Sequence, residues 1–173
     1  MPESERSRGR TEQSASGDSN GPAELPGVVA LPVLIYAGFL ALGLVLEWLW
    51  PTDILPEAVQ YALAAPLVLG GGLIVWMSQR TFERSGVRYD VRQAPGALVT
   101  AGPLRWSRNP GYLALSLIYL GLALGIDGAW LLGLYLPLHL VVRHGVIGRE
   151  ERYLEQRFGA DYRAYKARVR RWL

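Results

Sequence analysis

The stretch PGYLALSLIYLGLALGIDGAWLLGLYLPLHLVVRHGVI, Pro110 to Ile147, decides the fold. As one helix it would run ~57 Å at 1.5 Å per residue, far too long for one crossing of a ~30 Å hydrocarbon core. Asp127-Gly128 in its middle is a turn signal. The stretch therefore reads as a helical hairpin with spans at about 110–126 and 128–147.

Working outward, two more apolar spans precede it. The first, about 27–50, carries a single charge, Glu47, near its end, and the second covers about 57–78. The expectation is an all-α integral membrane protein with about four transmembrane helices. Trp48, Trp50, Trp76 and Trp130 fall at span ends, where indole rings favour the interface. Every Lys and Arg lies in the N-terminal tail, between Arg80 and Arg108, or from Arg143 onward, and the connectors near 51–56 and at 127 have none. The positive-inside tendency then puts both termini and the central loop in the cytoplasm.

Residues 1–24 mix Ser, Gly and both charge signs with almost no apolar side chains. Such a segment cannot bury enough surface to offset its ordering entropy, so a disordered tail is expected, followed by one domain over 25–173. It lacks the apolar core and cleavage pattern of a signal peptide. Its three arginines are set against five acids, so no nucleic-acid partner is expected. The absence of cysteine excludes disulfides, thiolate metal sites and a cysteine nucleophile. With only His139 and His144 present, no metal site is expected either.

Inside the spans, Pro66 and Pro137 each remove a backbone hydrogen bond. Gly70, Gly71 and Gly72, and the pair Gly121 and Gly125, suit close helix packing.

Two polar segments flank the hairpin. The loop from Gln79 to Asn109 ends in RWSRNPGY, Arg105 to Tyr112. Pro110 fits the first turn of a helix, and Asn109 stands where a side chain caps free amides. Arg105 and Arg108 read equally well as anchors for phosphate headgroups of membrane lipids. The C-terminal segment, about 149–172, reads as cytoplasmic amphipathic helices broken near Gly159, with Leu154 and Phe158 on one face. Glu150 and Glu151 at its start are partners for arginines, or hold the ammonium of a zwitterionic ligand whose carboxylate the arginines take. Arg143 and His144 stand about two turns earlier and could line the same cavity.

Taken together, LVTAGPLRWSRNPGYLAL and HGVIGREERYLEQRFGADYRAYKARVRRWL resemble the LVTxGPYRxxRHPxYxG, paired-glutamate and FGxxYxxYxxxV patterns of the isoprenylcysteine carboxyl methyltransferase and phospholipid methyltransferase family. The resemblance covers roughly residues 57–173. It implies an integral membrane enzyme, in the inner membrane of a bacterium, that moves methyl from S-adenosyl-L-methionine to a lipophilic small molecule or lipid. Carried over, it implies cofactor binding by Leu98, Val99, Leu104, Arg108, Asn109, Pro110, Gly111, Tyr112 and Glu150. For catalysis it leaves Glu151 beside the cofactor set, Arg149 or Arg143 at the acceptor, and His144 as the residue whose ordinary pKa suits a proton transfer. The chain departs from the pattern at Asn109, where histidine is common, and at Leu104, where tyrosine is common. An asparagine orients a ligand but cannot titrate. A steroid-reductase-like NADPH enzyme has a similar element followed by an acid, where this chain has Leu113-Ala114-Leu115. A non-enzymatic helical scaffold is the third reading, and the oligomeric state and the acceptor stay open.

Overall fold

The computed structural model describes residues 30–86 and 98–173. The polar tail expected over 1–24 and the central part of the loop lie outside the described residues. Those described are helical, with no strand: α1 (Ala30–Leu49), α2 (Glu57–Arg84), a short 3-10 turn (Gly102–Arg105), α3 (Pro110–Gly125), α4 (Ala129–Leu140), a π-helical segment (Val141–Ile147) and α5 (Gly148–Arg168).

Leu31–Leu49, Glu57–Arg84 and the continuous helix Ala129–Arg168 are long and apolar enough to cross a membrane; in the last the apolar run ends at Ile147, and the charged α5 continues beyond the spanning part. The fourth apolar helix, α3, has 16 residues and so reaches only ~24 Å, short of a full hydrocarbon core. Four apolar helices thus form an all-α membrane fold, with three full-length spans and one short helix. The hairpin turn falls where the sequence puts it, with Asp127 in the left-handed region at φ 60°. The fourth span and the C-terminal helix are not separate: the π segment carries α4 into α5 without interruption. In α5 the expected break is a bend, with Gly159 at φ 51° inside an otherwise helical run, and helix ends at Arg168 rather than near 172.

Helix α3 lies along α2, and small residues set the distance. A Cβ on Gly71 would sit 2.8 Å from the Ala114 carbonyl, and one on Gly121 would sit 3.0 Å from the Ala64 carbonyl. Only glycine lets the two backbones approach this closely. Gly70 and Gly72 face open space, so one glycine of the three carries the packing. Helices α1 and α4 close the other side around Tyr36, Tyr119, Ala123, Leu131 and Leu138. The core tyrosines are paired, as an apolar medium requires: Tyr36 Oη is 2.8 Å from Ser116 Oγ, and Tyr119 donates to the Leu131 carbonyl at 3.0 Å. The outer surface is apolar instead, with Trp48 80 % and Leu69 72 % exposed, which suits a lipid surround.

At the end away from the basic residues, the two connectors are laced together. The Asp127 carboxylate accepts the Ile54 amide at 2.7 Å and the Leu55 amide at 3.1 Å. The Thr52 hydroxyl donates to Glu47 at 2.7 Å and accepts the Ala129 amide at 2.9 Å. Trp130 Nε1 donates to the Trp50 carbonyl at 3.0 Å. These contacts fix the span order and leave the opposite end to build a site.

Candidate functional site

The site forms where the start of α3, the start of α5 and the last residues of the chain meet. Its floor is laid by the turn at Gly102, which stands at φ 58° against α2. A Cβ there would lie 2.1 Å from Thr81 Oγ1, so the turn needs glycine both for its backbone and for its space. Pro103 is buried, and the Leu104 carbonyl accepts the Tyr165 hydroxyl of α5 at 2.7 Å. The next residues, Ser107 to Pro110, are thereby aimed under α5.

Asn109 precedes α3 but does not cap it with its side chain. Its amide Nδ2 instead donates to the Arg171 carbonyl at 3.1 Å, and its backbone N–H donates to Ser107 Oγ at 3.2 Å. Ser107 Oγ also donates to the Arg171 carbonyl at 3.3 Å. The capping expectation is corrected here: a nearby backbone carbonyl from the chain's end competes for the side chain and wins.

The paired acids take different partners. Glu150 accepts the Tyr112 hydroxyl at 2.9 Å, which joins α5 to the first turn of α3. Burial holds the Glu150 carboxyl above its usual range; the Tyr112 hydroxyl opposes this and the charge of Glu151 adds to it. Glu151, 7 % exposed at its side chain, is held by two arginines: Arg108 Nη1 at 3.3 Å and Arg171 through both Nε (3.1 Å) and Nη2. This two-pronged arrangement matches the planar guanidinium to the carboxylate, and it raises the pKa of Arg171 further. Both Glu151 oxygens are therefore taken by cations.

Arg108 is only 10 % exposed at its side chain, yet its Nε is buried with no hydrogen-bond partner among the described residues. A buried guanidinium N–H without an acceptor is costly. Tyr162 lies against Arg108 and is pushed to a pKa of about 12 by burial, with Glu151 adding and Arg108 opposing. Tyr165 is likewise pushed to about 12 by burial and then by Tyr162. Both stay protonated at neutral pH; Tyr165 donates to the Leu104 carbonyl, whereas Tyr162 accepts from the Arg108 guanidinium.

Of the residues expected from the sequence, Arg108, Asn109, Tyr112, Glu150 and Glu151 are brought together, with Pro110 buried beside them. Leu104 joins through its carbonyl. Leu98 and Val99 are half-buried in the loop, and Gly111 is exposed. His144 and Arg149 are not brought to the cluster: both are exposed, as is Arg143. His144 Nδ1 lies 3.0 Å from the Leu140 carbonyl of its own helix. The π segment explains this. Its wider turns bury Val142, Val146 and Ile147 and shift the phase of α5 against α4, so counting α-helical turns back from Glu150 fails.

Sequence reasoning missed Ser107, Tyr162, Tyr165 and Arg171 as parts of the site. The tyrosine spacing in ADYRAYKA was a visible signal. For Arg171 there was none, since it lies in a run of basic residues at the chain's end.

A 52 % identical relative from Haemophilus influenzae, described only as an uncharacterized protein, aligns over 64 residues, 36 % of this chain and 98 % of the relative. No solved structure matches the chain. The family profile described as phospholipid methyltransferase matches residues 59–161, a range that contains α2 from Val59 onward, α3, α4 and both glutamates. The chain belongs to the phospholipid methyltransferase family of membrane proteins.

Proposed function

We propose that the cluster of Arg108, Tyr112 and Glu150 binds the amino-acid end of S-adenosyl-L-methionine, and that the protein moves the methyl group to a lipophilic acceptor dissolved in the membrane. The observation that carries this reading is a pair of unspent groups of opposite sign: the buried Nε of Arg108 and the Glu150 carboxyl, whose sole hydrogen bond among the described residues is to Tyr112. A zwitterionic amino acid offers the two complements, a carboxylate for Arg108 and an ammonium for Glu150. Leu98, Val99 and Leu104 supply apolar walls for the nucleoside.

Bound there, the cofactor supplies a methyl carbon already activated by its sulfonium. The chain's own contribution is alignment and exclusion of water. Tyr112 and Glu150 fix one end, and Arg108, held by Glu151, fixes the other. Tyr162 and Tyr165 close the floor as neutral phenols, Tyr165 as a donor to the Leu104 carbonyl. His144 and Arg149, both exposed, are left to the acceptor's approach and to any proton it sheds. The basic residues gathered at this end support a cytoplasmic orientation in a bacterial inner membrane.

Titration calorimetry of detergent-purified protein with S-adenosyl-L-methionine and, separately, NADPH tests the reading. Binding of S-adenosyl-L-methionine that is lost in Glu150→Gln is expected. Binding of NADPH alone would replace this function with the reductase, and binding of neither would leave the scaffold.

A further inference from the structure

Past the end of α5 the chain leaves the helix, with Val169 extended at φ −117° and ψ 131°, and its last residues fold back as a strap over the start of α3. Three donors hold the strap by its backbone: the Arg108 N–H to the Arg170 carbonyl at 3.0 Å, and Ser107 Oγ and Asn109 Nδ2 to the Arg171 carbonyl. Two side chains hold it from the other direction. Trp172 lies with its ring 5.0 Å from that of His139 on α4, and Arg171 grips Glu151 with both prongs.

The strap therefore does more than finish the fold. Ser107 and Asn109, the residues around Arg108 in sequence, both point their donors at it. Glu151, the carboxylate that holds Arg108, has both oxygens on Arg171. If Arg171 were absent, Glu151 would be free to turn both oxygens onto Arg108 in the same bidentate manner, and the guanidinium face now unspent would be consumed. We propose that Arg171 is a positioning residue: carried on the C-terminal strap and anchored by Trp172, it occupies Glu151 so that Arg108 keeps free N–H groups for the ligand's carboxylate.

This inference rests on the reading of Arg108 as a ligand-binding group, and its test separates the two. Full-length protein is compared with Arg171→Ala, Arg171→Lys, Glu151→Gln, the double variant Arg171→Ala/Glu151→Gln, and Trp172→Ala, which leaves every charge in place. S-Adenosyl-L-methionine affinity is measured by calorimetry well below each variant's melting temperature. Arg171→Ala is expected to weaken binding about tenfold, the scale of coupling between residues in one charge network. Arg171→Lys restores part of the loss, because lysine keeps the charge but not the fork. Trp172→Ala weakens binding in the same direction, and the double variant binds no worse than the weaker single one. A merely structural strap would lower the melting temperature and leave the affinity of folded protein untouched; that result, or additive losses in the double variant, overturns the proposal. If the wild type binds NADPH and not S-adenosyl-L-methionine, the functional reading fails, and the same cycle run with NADPH decides the role of Arg171.

Discussion

Replacing Glu150 by Gln gives a prediction in which stability and binding move in opposite directions. Burial raises the Glu150 carboxyl above its usual 4.5, with Tyr112 opposing and Glu151 adding. The folded protein thus holds a proton on Glu150 at pH values where the unfolded chain has released it. For such a group the stabilising contribution is complete below about pH 4.5 and is lost as pH rises through the folded-state value. Within that window the wild type loses stability at about 1.4 kcal/mol per pH unit from this one site. Glutamine is neutral throughout, so the variant removes this slope and is the more stable protein on the alkaline side. Binding runs the other way, because an ammonium group needs the carboxylate. Losing a charge-assisted hydrogen bond costs about 1.5–3 kcal/mol, or about 10- to 150-fold in affinity. Below the raised Glu150 pKa the wild type also releases a proton when it binds, which calorimetry in buffers of different ionisation enthalpy reads directly, whereas the variant releases none. Thermal melts across pH 4 to 9 supply the stability arm. If the two proteins share one pH–stability profile and one proton release, Glu150 is not the group that receives the ammonium.

Other changes separate scaffold from site. Gly121→Leu forces a side chain into a space where even a Cβ would meet Val68 and the Ala64 carbonyl; overpacking of about 1–3 kcal/mol or more should appear as a lower melting temperature. Asp127→Ala strips the acceptor from the Ile54 and Leu55 amides and should cost about 1–3 kcal/mol in thermal unfolding, with cofactor affinity unchanged in the folded protein. His144→Ala should leave cofactor affinity within about twofold of wild type, because the ring is exposed and bonded within its own helix. Asn109→His should be tolerated, since a ring N–H can replace Nδ2 as donor to the Arg171 carbonyl. Asn109→Leu should destabilise by about 1 kcal/mol in the same melt, and equal damage from both would remove the hydrogen bond as the reason for the residue.

The spans, the hairpin and the pairing of the two motifs were legible because each rests on local chemistry. A run of apolar residues cannot be exposed to water, and Asp127-Gly128 interrupts one at the right length. The glycines were legible only as a class. That Gly71 packs and Gly72 does not depends on the rotation of α2 against α3, which no single-chain pattern records. The site was half legible. Tyr112, Arg108 and the two acids follow from motif order, but the division of labour between Glu150 and Glu151 is set by which one meets Arg171. The position of His144 was not legible for a different reason. Its place relative to Glu150 depends on helical phase across Val141–Ile147, and a π turn there breaks a count made at α-helical spacing.

The two ends of the bundle carry similar residue types and differ in what they leave unspent. At the connector end, Asp127 is consumed by backbone amides, and the one buried atom without a partner among the described residues is an acceptor, Glu47 Oε2. Acceptors alone can tie loops together but cannot recognise a zwitterion. At the other end, Arg108 Nε and Trp172 Nε1 are buried donors without a hydrogen-bond partner among the described residues, and the Glu150 carboxyl stands nearby on the Tyr112 hydroxyl, while the Arg170 and Arg171 carbonyls of the strap are already bonded. Leaving opposite charges incompletely satisfied in a partly buried place costs stability. A fold that needed only to hold its helices together would have no use for that cost, whereas the proposed binding of a zwitterion would offset it.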